Sequence, residues 1–372
     1  MLILGIETSC DETGAAVIEG EQNSNKVKLL SNVIASSLPL HSRSGGIIPE
    51  NAAREQIKFI IPVINEAIQQ CNNLPARLAA KRAGKAGLTI GDIDAIAATF
   101  GPGLIGSLLI GVETAKTLSY VWNKPLIPVN HLIGHIYANF IYSELNPKRY
   151  TLNANIEFPA IALIVSGGHT DLVLMKRHGS LNWLGGTRDD AAGEALDKIG
   201  RLLKLPYPGG PYIEQHAKKG DPNKYKFPRP MIGSKDFNFS FSGLKAAVFR
   251  EVQTMKQPAR RSLGEGGLDN ETINDICASV QNAIIDVLVK KTLKAAVKYK
   301  AKSILLGGGV AANQSLRNEF ELKIENLKLK IPLFVPEKRL CTDNAAMIGA
   351  AAFFNNQQTD WKKVDANPSL YF

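Results

Sequence analysis

Apolar runs and polar breaks along the chain mark out alternating strand-like and helix-like segments. Residues 2–9 and 13–20 read as two strands around a short turn, and 26–37 as a third. A helical pattern covers about 51–71, a strand lies near 94–100, and a second helix runs from about 105 to 121. A strand at 126–130 then leads into a helix carrying two histidines. After a polar link at about 144–157 the pattern begins again. Strands 160–166, 171–177 and 181–186 follow, with a tight Gly167-Gly168 turn between the first two. Helices at about 190–204, 211–219, 243–256 and 270–299 come next. A strand at 303–307, a helix from 313, a strand at 332–335 and a final helix from 343 close the chain. Three consecutive strands and then alternating helices and strands, twice over, predict a duplicated α/β lobe. On this pattern 1–130 is the first lobe and 131–342 the second, with the final helix from about 343 a candidate to pack back on the first. Segments 75–87 and 257–269, rich in Gly, Pro and charge, are expected to be loop insertions.

Composition narrows the class. The 372 residues are 45% hydrophobic and 21% charged, an ordinary globular balance with no apolar run of membrane-spanning length. The amino terminus, Met1-Leu2-Ile3-Leu4-Gly5-Ile6-Glu7, reads as a strand and not as a targeting segment. Cys10, Cys71, Cys277 and Cys341 are far apart and form no CxxC pair, which argues against a zinc knuckle or disulfide framework and points to a reducing cytoplasm. The net charge of +10 favours a polyanionic partner such as RNA. Arg77, Lys81, Arg82 and Lys85 in segment 75–87 supply +4 of it, leaving +6 elsewhere.

The most specific chemistry is in Asn130-His131-Leu132-Ile133-Gly134-His135. On a helix, residues four apart share a face, so both imidazoles can reach one metal ion. Zinc peptidases use His-Glu-x-x-His, and here Leu132 stands where that motif has its general base, so the pair can hold a metal but does not supply the hydrolytic machinery. Asp343, in Cys341-Thr342-Asp343-Asn344 before the final helix, is either a helix cap or the third ligand of a His₂-carboxylate set suited to Zn²⁺ or Fe²⁺.

Two hairpins, Gly5 to Gly14 and Ile164 to Asp171, each concentrate hydroxyls and turn amides that can cradle a phosphate, and one per lobe suggests a nucleotide held between them. Asp11 and Glu12 in the first are candidate proton acceptors. Gly307-Gly308-Gly309-Val310-Ala311-Ala312-Asn313 joins a strand to a helix, a position suited to a nucleoside or phosphate; Asn313 either caps that helix or bonds a base or ribose. Phe100-Gly101-Pro102-Gly103-Leu104-Ile105-Gly106-Ser107 is a cleft wall or a rigid turn. Asp190, Glu194 and Asp197 share one helical face, either solvated or holding sugar hydroxyls.

Taken together, the stretches GIETSCDET, GGIIPE, FGPGLIGSLLIG, NHLIGH, VSGGHTDL, DDAAGEALDK, PGGPYIE, FSFSGLK, GGGVAAN and CTDNAAMIG resemble the bacterial tRNA N6-adenosine threonylcarbamoyltransferase (TsaD) family, formerly called O-sialoglycoprotein endopeptidase. They run in the family's order from residue 5 to about 350. The resemblance implies an α/β, duplicated two-lobe actin-like/Hsp70/sugar-kinase (RNase H-like) fold with an inter-lobe nucleotide cleft. It implies transfer of threonylcarbamoyl from threonylcarbamoyl-AMP to N6 of the adenosine 3′ of the anticodon in tRNAs reading codons that begin with A. It carries one divalent ion, Fe²⁺ or Zn²⁺, to His131, His135 and Asp343, and adenylate contacts to Ile164, Val165, Ser166, Gly167, Gly168, Asp197, Gly210, Glu214 and Asn313. It also implies a paralogous non-catalytic partner (TsaB) and a small ATPase (TsaE). Where the family often has a histidine after its GGVVPE-like segment, this chain has Arg54-Glu55-Gln56. Two other readings compete. A metallopeptidase leaves the duplicated lobes unexplained, and an ATP-hydrolysing actin-like module leaves the convergent histidines and aspartate unexplained.

Overall fold

The computed structural model describes residues 1–74, 88–143, 155–255 and 268–372. Segment 75–87 lies outside these residues, and so does 257–269 apart from Leu268 and Asp269. The strands are β1 (Leu2–Glu7), β2 (Glu12–Gly20), β3 (Val27–Ser36), β4 (Ala95–Gly101), β5 (Leu126–Asn130), β6 (Ile141–Tyr142), β7 (Ala160–Val165), β8 (Thr170–Arg177), β9 (Ser180–Gly186), β10 (Ser303–Gly307) and β11 (Leu333–Phe334). The first helices are α1 (Leu38–Ser44), α2 (Pro49–Asn72), α3 (Ile105–Trp122) and α4 (His131–Tyr137). Then come α5 (Ala192–Leu202), α6 (Gly209–Ala217), α7 (Ser242–Met255), α8 (Asn270–Lys298), α9 (Gln314–Asn326), α10 (Lys338–Cys341) and α11 (Ala345–Asn355).

The described chain forms two compact units, Met1–Ile156 with Arg177–Ser180 and Pro336–Phe372, and Glu157–Lys176 with Leu181–Val335. The hydrophobic pattern cuts the chain at 130/131, between β5 and the histidine helix. The compact units divide at 156/157, so α4 stays with the sheet that leads into it. The first sheet has the order β5-β4-β1-β2-β3-β6 and the second β11-β10-β7-β8-β9. In the first, β2 runs antiparallel to β1 and β3 while β4 is parallel to β1. In the second, β8 is antiparallel to β7 and β10 is parallel to it. Numbered within each repeat, both sheets contain the order 3-2-1-4-5, the first with β6 added beside β3, and this shared order is the duplication that the sequence pattern predicts.

Period-two alternation on β1 positions the site. Every residue of β1 is buried, because both faces of this central strand are covered. Leu2, Leu4 and Ile6 join a core with Ile60, Val63 and Ile64 of α2 and Val112 and Ala115 of α3. Ile3, Gly5 and Glu7 point the other way. There a Cβ on Gly5 would collide with the Ala345 carbonyl of α11, so glycine lets this small-residue helix close on the strand. Glu7 is thereby delivered, buried, to the face where α11 begins. Among the described residues no helix is long and apolar enough to cross a membrane.

Candidate metal centre

The two histidines are aimed by an asparagine cap. Asn130, the last residue of β5, accepts hydrogen bonds at Oδ1 from the amides of Leu132 (2.8 Å) and Ile133 (3.3 Å), which starts α4 at His131. Its Nδ2 donates to the Tyr371 carbonyl at 3.3 Å. One helical turn then sets the His131 and His135 rings 4.7 Å apart at 80°. Both are buried.

A second cap delivers the carboxylate. Asn344 Oδ1 accepts the Met347 amide at 3.0 Å, and its Nδ2 donates to the carbonyls of Leu340 (3.2 Å) and Thr342 (2.7 Å). Asn344, not Asp343, therefore caps α11, and the Asp343 carboxylate faces the histidines. Its Oδ1 lies 3.5 Å from His131 Nε2 and 3.3 Å from His135 Nε2. One ligand atom from each of the three residues falls within 4.8 Å of the others.

These residues fit a metal ion. Among the described residues neither ring nitrogen of His135 has an aligned hydrogen-bond partner, although the side chain is fully buried. A buried polar atom left unpaired is costly, and two imidazole nitrogens converging with a carboxylate oxygen is the donor set that Zn²⁺ and Fe²⁺ take with open positions. The charges around the site favour a positive charge between the Glu7 and Asp343 carboxylates. Burial opposes charge on His131, but the Glu7 and Asp343 carboxylates on either side hold it well above the ordinary histidine range. Burial likewise works against the Asp343 carboxylate, yet His131 and then His135 hold it far below the usual range. Burial keeps His135 below its ordinary value and hence neutral, the form that ligates metal.

Sequence reasoning missed the layer behind His131. Glu7 Oε2 lies 3.1 Å from His131 Nδ1 and accepts the Thr99 hydroxyl at 2.6 Å, while Oε1 accepts the Ser9 amide at 2.6 Å. Ser9 Oγ is 3.2 Å from the same Nδ1. The available signal was a carboxylate ending an otherwise apolar central strand, since such a charge is buried only with partners.

The first hairpin is rigid. Gln56 Nε2, in the position where the family often has histidine nearby, donates to the carbonyls of Thr8 (3.3 Å), Cys10 (3.1 Å) and Glu12 (3.0 Å). The Ser107 hydroxyl donates to the Cys10 carbonyl at 2.9 Å, and the Leu104 amide to Ser9 O at 2.8 Å, so Phe100-to-Ser107 buttresses this turn. Asp11 is buried and Glu12 half-buried. Burial, then the charges of Asp343 and Asp11, push Glu12 well above the usual carboxylate range, which puts this carboxyl within electrostatic reach of Asp343.

The remaining positions lie in the second unit. Ile164 and Val165 are buried at the end of β7. Ser166 closes the following turn, its amide donating to the His169 carbonyl (2.9 Å) and its Oγ accepting the His169 amide (3.2 Å). A Cβ on Gly167 or Gly168 would meet nothing within 4 Å, so the protein leaves open space beside both. The Gly193 amide donates to Ser166 O at 3.1 Å, tying α5 to this turn. Asp197 Oδ1 accepts the Gly209 amide at 2.7 Å, tying α5 to α6, whose next residue is Gly210. Glu214 Oε1 accepts the Gln314 amide at 2.9 Å, tying α6 to α9. Asn313 caps α9 through Leu316 N at 2.9 Å and donates from Nδ2 to Gln281 Oε1 at 2.8 Å, so its polar atoms are engaged as a cap. Gly308, at φ +89°, crosses against Val165 O where a side chain has no room. The predicted segments thus form one connected set of turns and helix starts. Asp190 and Glu194 instead pair with Lys198, at 2.5 and 2.8 Å.

Two sheets that share the order 3-2-1-4-5 and a His₂-carboxylate cluster with both histidines buried define a duplicated actin-like α/β protein with a metal-binding constellation. HypF from T. kodakarensis has the same fold, with a TM-score of 0.56 at 14% identity, covering 95% of this chain and 47% of that one. Residues 28–350 match the family of tRNA N6-adenosine threonylcarbamoyltransferases (TsaD), and the chain belongs to that family. The enzyme of that name from Moorella thermoacetica is 44% identical over 98% of this chain and 95% of its own length. That from Bacillus subtilis is 47% identical over 94% and 89%.

Proposed function

We propose that this protein is a transferase that moves the threonylcarbamoyl group from threonylcarbamoyl-AMP to N6 of the adenosine 3′ of the anticodon in tRNAs reading codons that begin with A. The observation that carries the reading is the convergence of His131, His135 and Asp343 within 4.8 Å, in a chain that keeps 44% identity over nearly its whole length to an enzyme of that name.

The donor is already activated, so the protein has to bind, orient and exclude water. His131, His135 and Asp343 hold one divalent ion, Fe²⁺ or Zn²⁺. Bound there, the ion supplies Lewis acidity towards carbonyl or phosphate oxygens. The Ile164-to-Gly168 turn, with Val165, Ser166 and Gly167 between, is assigned to the adenylate, because open space beside two glycines lets backbone amides approach phosphate and stabilise charge on the leaving group. Asp197, Gly210, Glu214 and Asn313, on the connected helix starts, are assigned to the same nucleotide. Asp11 or Glu12 takes the proton from the attacking N6 amine. The net charge of +10 suits tRNA. The paralogous partner TsaB, the ATPase TsaE and a cytoplasmic setting belong to the same reading.

Offering purified protein threonylcarbamoyl-AMP, ATP or casein, with and without tRNA, tests it. The expected result is tRNA-dependent consumption of threonylcarbamoyl-AMP. Casein cleavage that vanishes in His131→Ala contradicts it. Asp11→Ala and Glu12→Ala are each expected to slow transfer while retaining metal, and near-wild-type rates in both would remove the proton-acceptor role.

A further inference from the structure

We infer that Glu7 is the positioning residue of the metal centre, fixing His131 as the Nδ1–H tautomer so that its Nε2 lone pair faces Asp343 and the ion. The inference rests on His131, His135 and Asp343 being the metal ligands and concerns what makes one of them competent.

The hydrogen-bond count decides the tautomer. Glu7 is fully buried on the β1 face towards α11, and its carboxylate oxygens can only accept. Oε1 takes the Ser9 amide at 2.6 Å and Oε2 takes the Thr99 hydroxyl at 2.6 Å. His131 Nδ1, 3.1 Å from Oε2, satisfies that contact only by carrying a hydrogen. Ser9 Oγ, 3.2 Å from Nδ1, can donate to a bare nitrogen, but the carboxylate would then face a lone pair across 3.1 Å. With the hydrogen on Nδ1, Nε2 is left facing Asp343 Oδ1 at 3.5 Å. Either a second proton or a cation then sits between these two acceptors, and a metal ion that takes Nε2 replaces the proton there while Nδ1 keeps its hydrogen. The arrangement is the carboxylate–histidine–metal relay in which the outer carboxylate orients the ring and raises its basicity.

The two histidines are unequal in this respect. Among the described residues His135 Nδ1 is buried with no hydrogen-bond partner. The carboxylate behind His131 is therefore the one orienting group of this kind that the histidine pair has among the described residues.

Glu7→Gln separates shape from charge. Glutamine fills the same space but offers one acceptor oxygen and two N–H donors. The Ser9 amide claims the acceptor, which turns the NH₂ towards Nδ1; flipping the amide instead sets it against the Ser9 N–H. In the first orientation His131 is driven to the Nε2–H tautomer, which cannot ligate.

The test is titration of metal-free full-length protein with Zn²⁺ against a competing chelator. Glu7→Gln is expected to weaken Zn²⁺ binding by about 10- to 100-fold, while Ser9→Ala stays within about threefold of wild type. Glu7→Gln binding Zn²⁺ like wild type, at an unchanged melting temperature, overturns the inference, and so does a larger loss in Ser9→Ala. Should Glu7→Gln not fold, side-chain NMR of the Zn²⁺-loaded wild type decides. Protonation of His131 at Nδ1 is expected, and protonation at Nε2 contradicts it. His135→Ala separates the two levels of the claim. If Zn²⁺ affinity survives that substitution, the ligand assignment itself has failed.

Discussion

His135 bears a cost that a metal ion relieves at one of its two nitrogens. Among the described residues both its nitrogens are buried without an aligned hydrogen bond, and leaving a buried polar group unpaired costs about 1–3 kcal/mol. His135→Leu, of similar size and with nothing to satisfy, is expected to leave the metal-free protein at least as stable as wild type in urea unfolding. It should also abolish the rise in melting temperature on adding Zn²⁺ or Fe²⁺. Metal-free His135→Leu that is several kcal/mol less stable would mean the imidazole has a structural partner. Much at this scale is legible in the sequence. The i, i+4 spacing identifies His131 and His135, but the sequence leaves Asp343 open between cap and ligand, and only the structure shows that Asn344 takes the cap. Glu7 and Thr99 escape, because no spacing links positions 92 residues apart; only the sheet pairing of β1 with β4 brings them together.

The turns do the work at the level of elements, and their glycines differ in kind. Gly308→Ala forces a Cβ into the Val165 carbonyl at φ +89° and is expected to destabilise the second unit by about 2 kcal/mol or more in denaturant unfolding. Gly167→Ala adds a methyl to open space and is expected to leave stability within about 0.5 kcal/mol while weakening adenylate binding at least tenfold. Unaltered adenylate affinity in Gly167→Ala would remove that turn from the site. The turn between β8 and β9 carries a pH effect. His178 stacks on Phe354 (4.2 Å, 7°) and Tyr137 (5.7 Å, 22°), and burial pushes it down to about 4. The unfolded chain, near the ordinary 6.5, binds the proton more readily. Stability is therefore full above pH 6.5 and falls as pH drops towards 4, by at most about 2 kcal/mol after allowance for solvent screening. His178→Phe keeps the stack and should flatten that part of the pH–stability curve; an unchanged slope contradicts the assignment. The long elements follow the hydrophobic period closely, with ends shifted by a few residues. The short ones, α1, β6 and α10, span too few residues to show a period. The segment after α11 has no period either, yet it closes on the site, with the Asn367 amide on Phe100 O at 2.7 Å and the Tyr371 carbonyl on Asn130.

For the whole molecule, the duplication is visible as a repeated order of strands and helices, and both sheets realise it. Where the units divide is less visible, because the hydrophobic pattern marks elements and not the contacts that gather α4 onto the first sheet. The net charge agrees with an RNA substrate but does not choose one. The metal cluster, the open glycine turn and family membership converge on one reaction, and a cell can report it directly. The decisive measurement is mass spectrometry of tRNA nucleosides from a strain depleted of this protein and complemented with wild type or with Asp343→Ala. Threonylcarbamoyladenosine should fall on depletion, return with wild type and stay low with Asp343→Ala. A level that depletion leaves unchanged would contradict the proposed function.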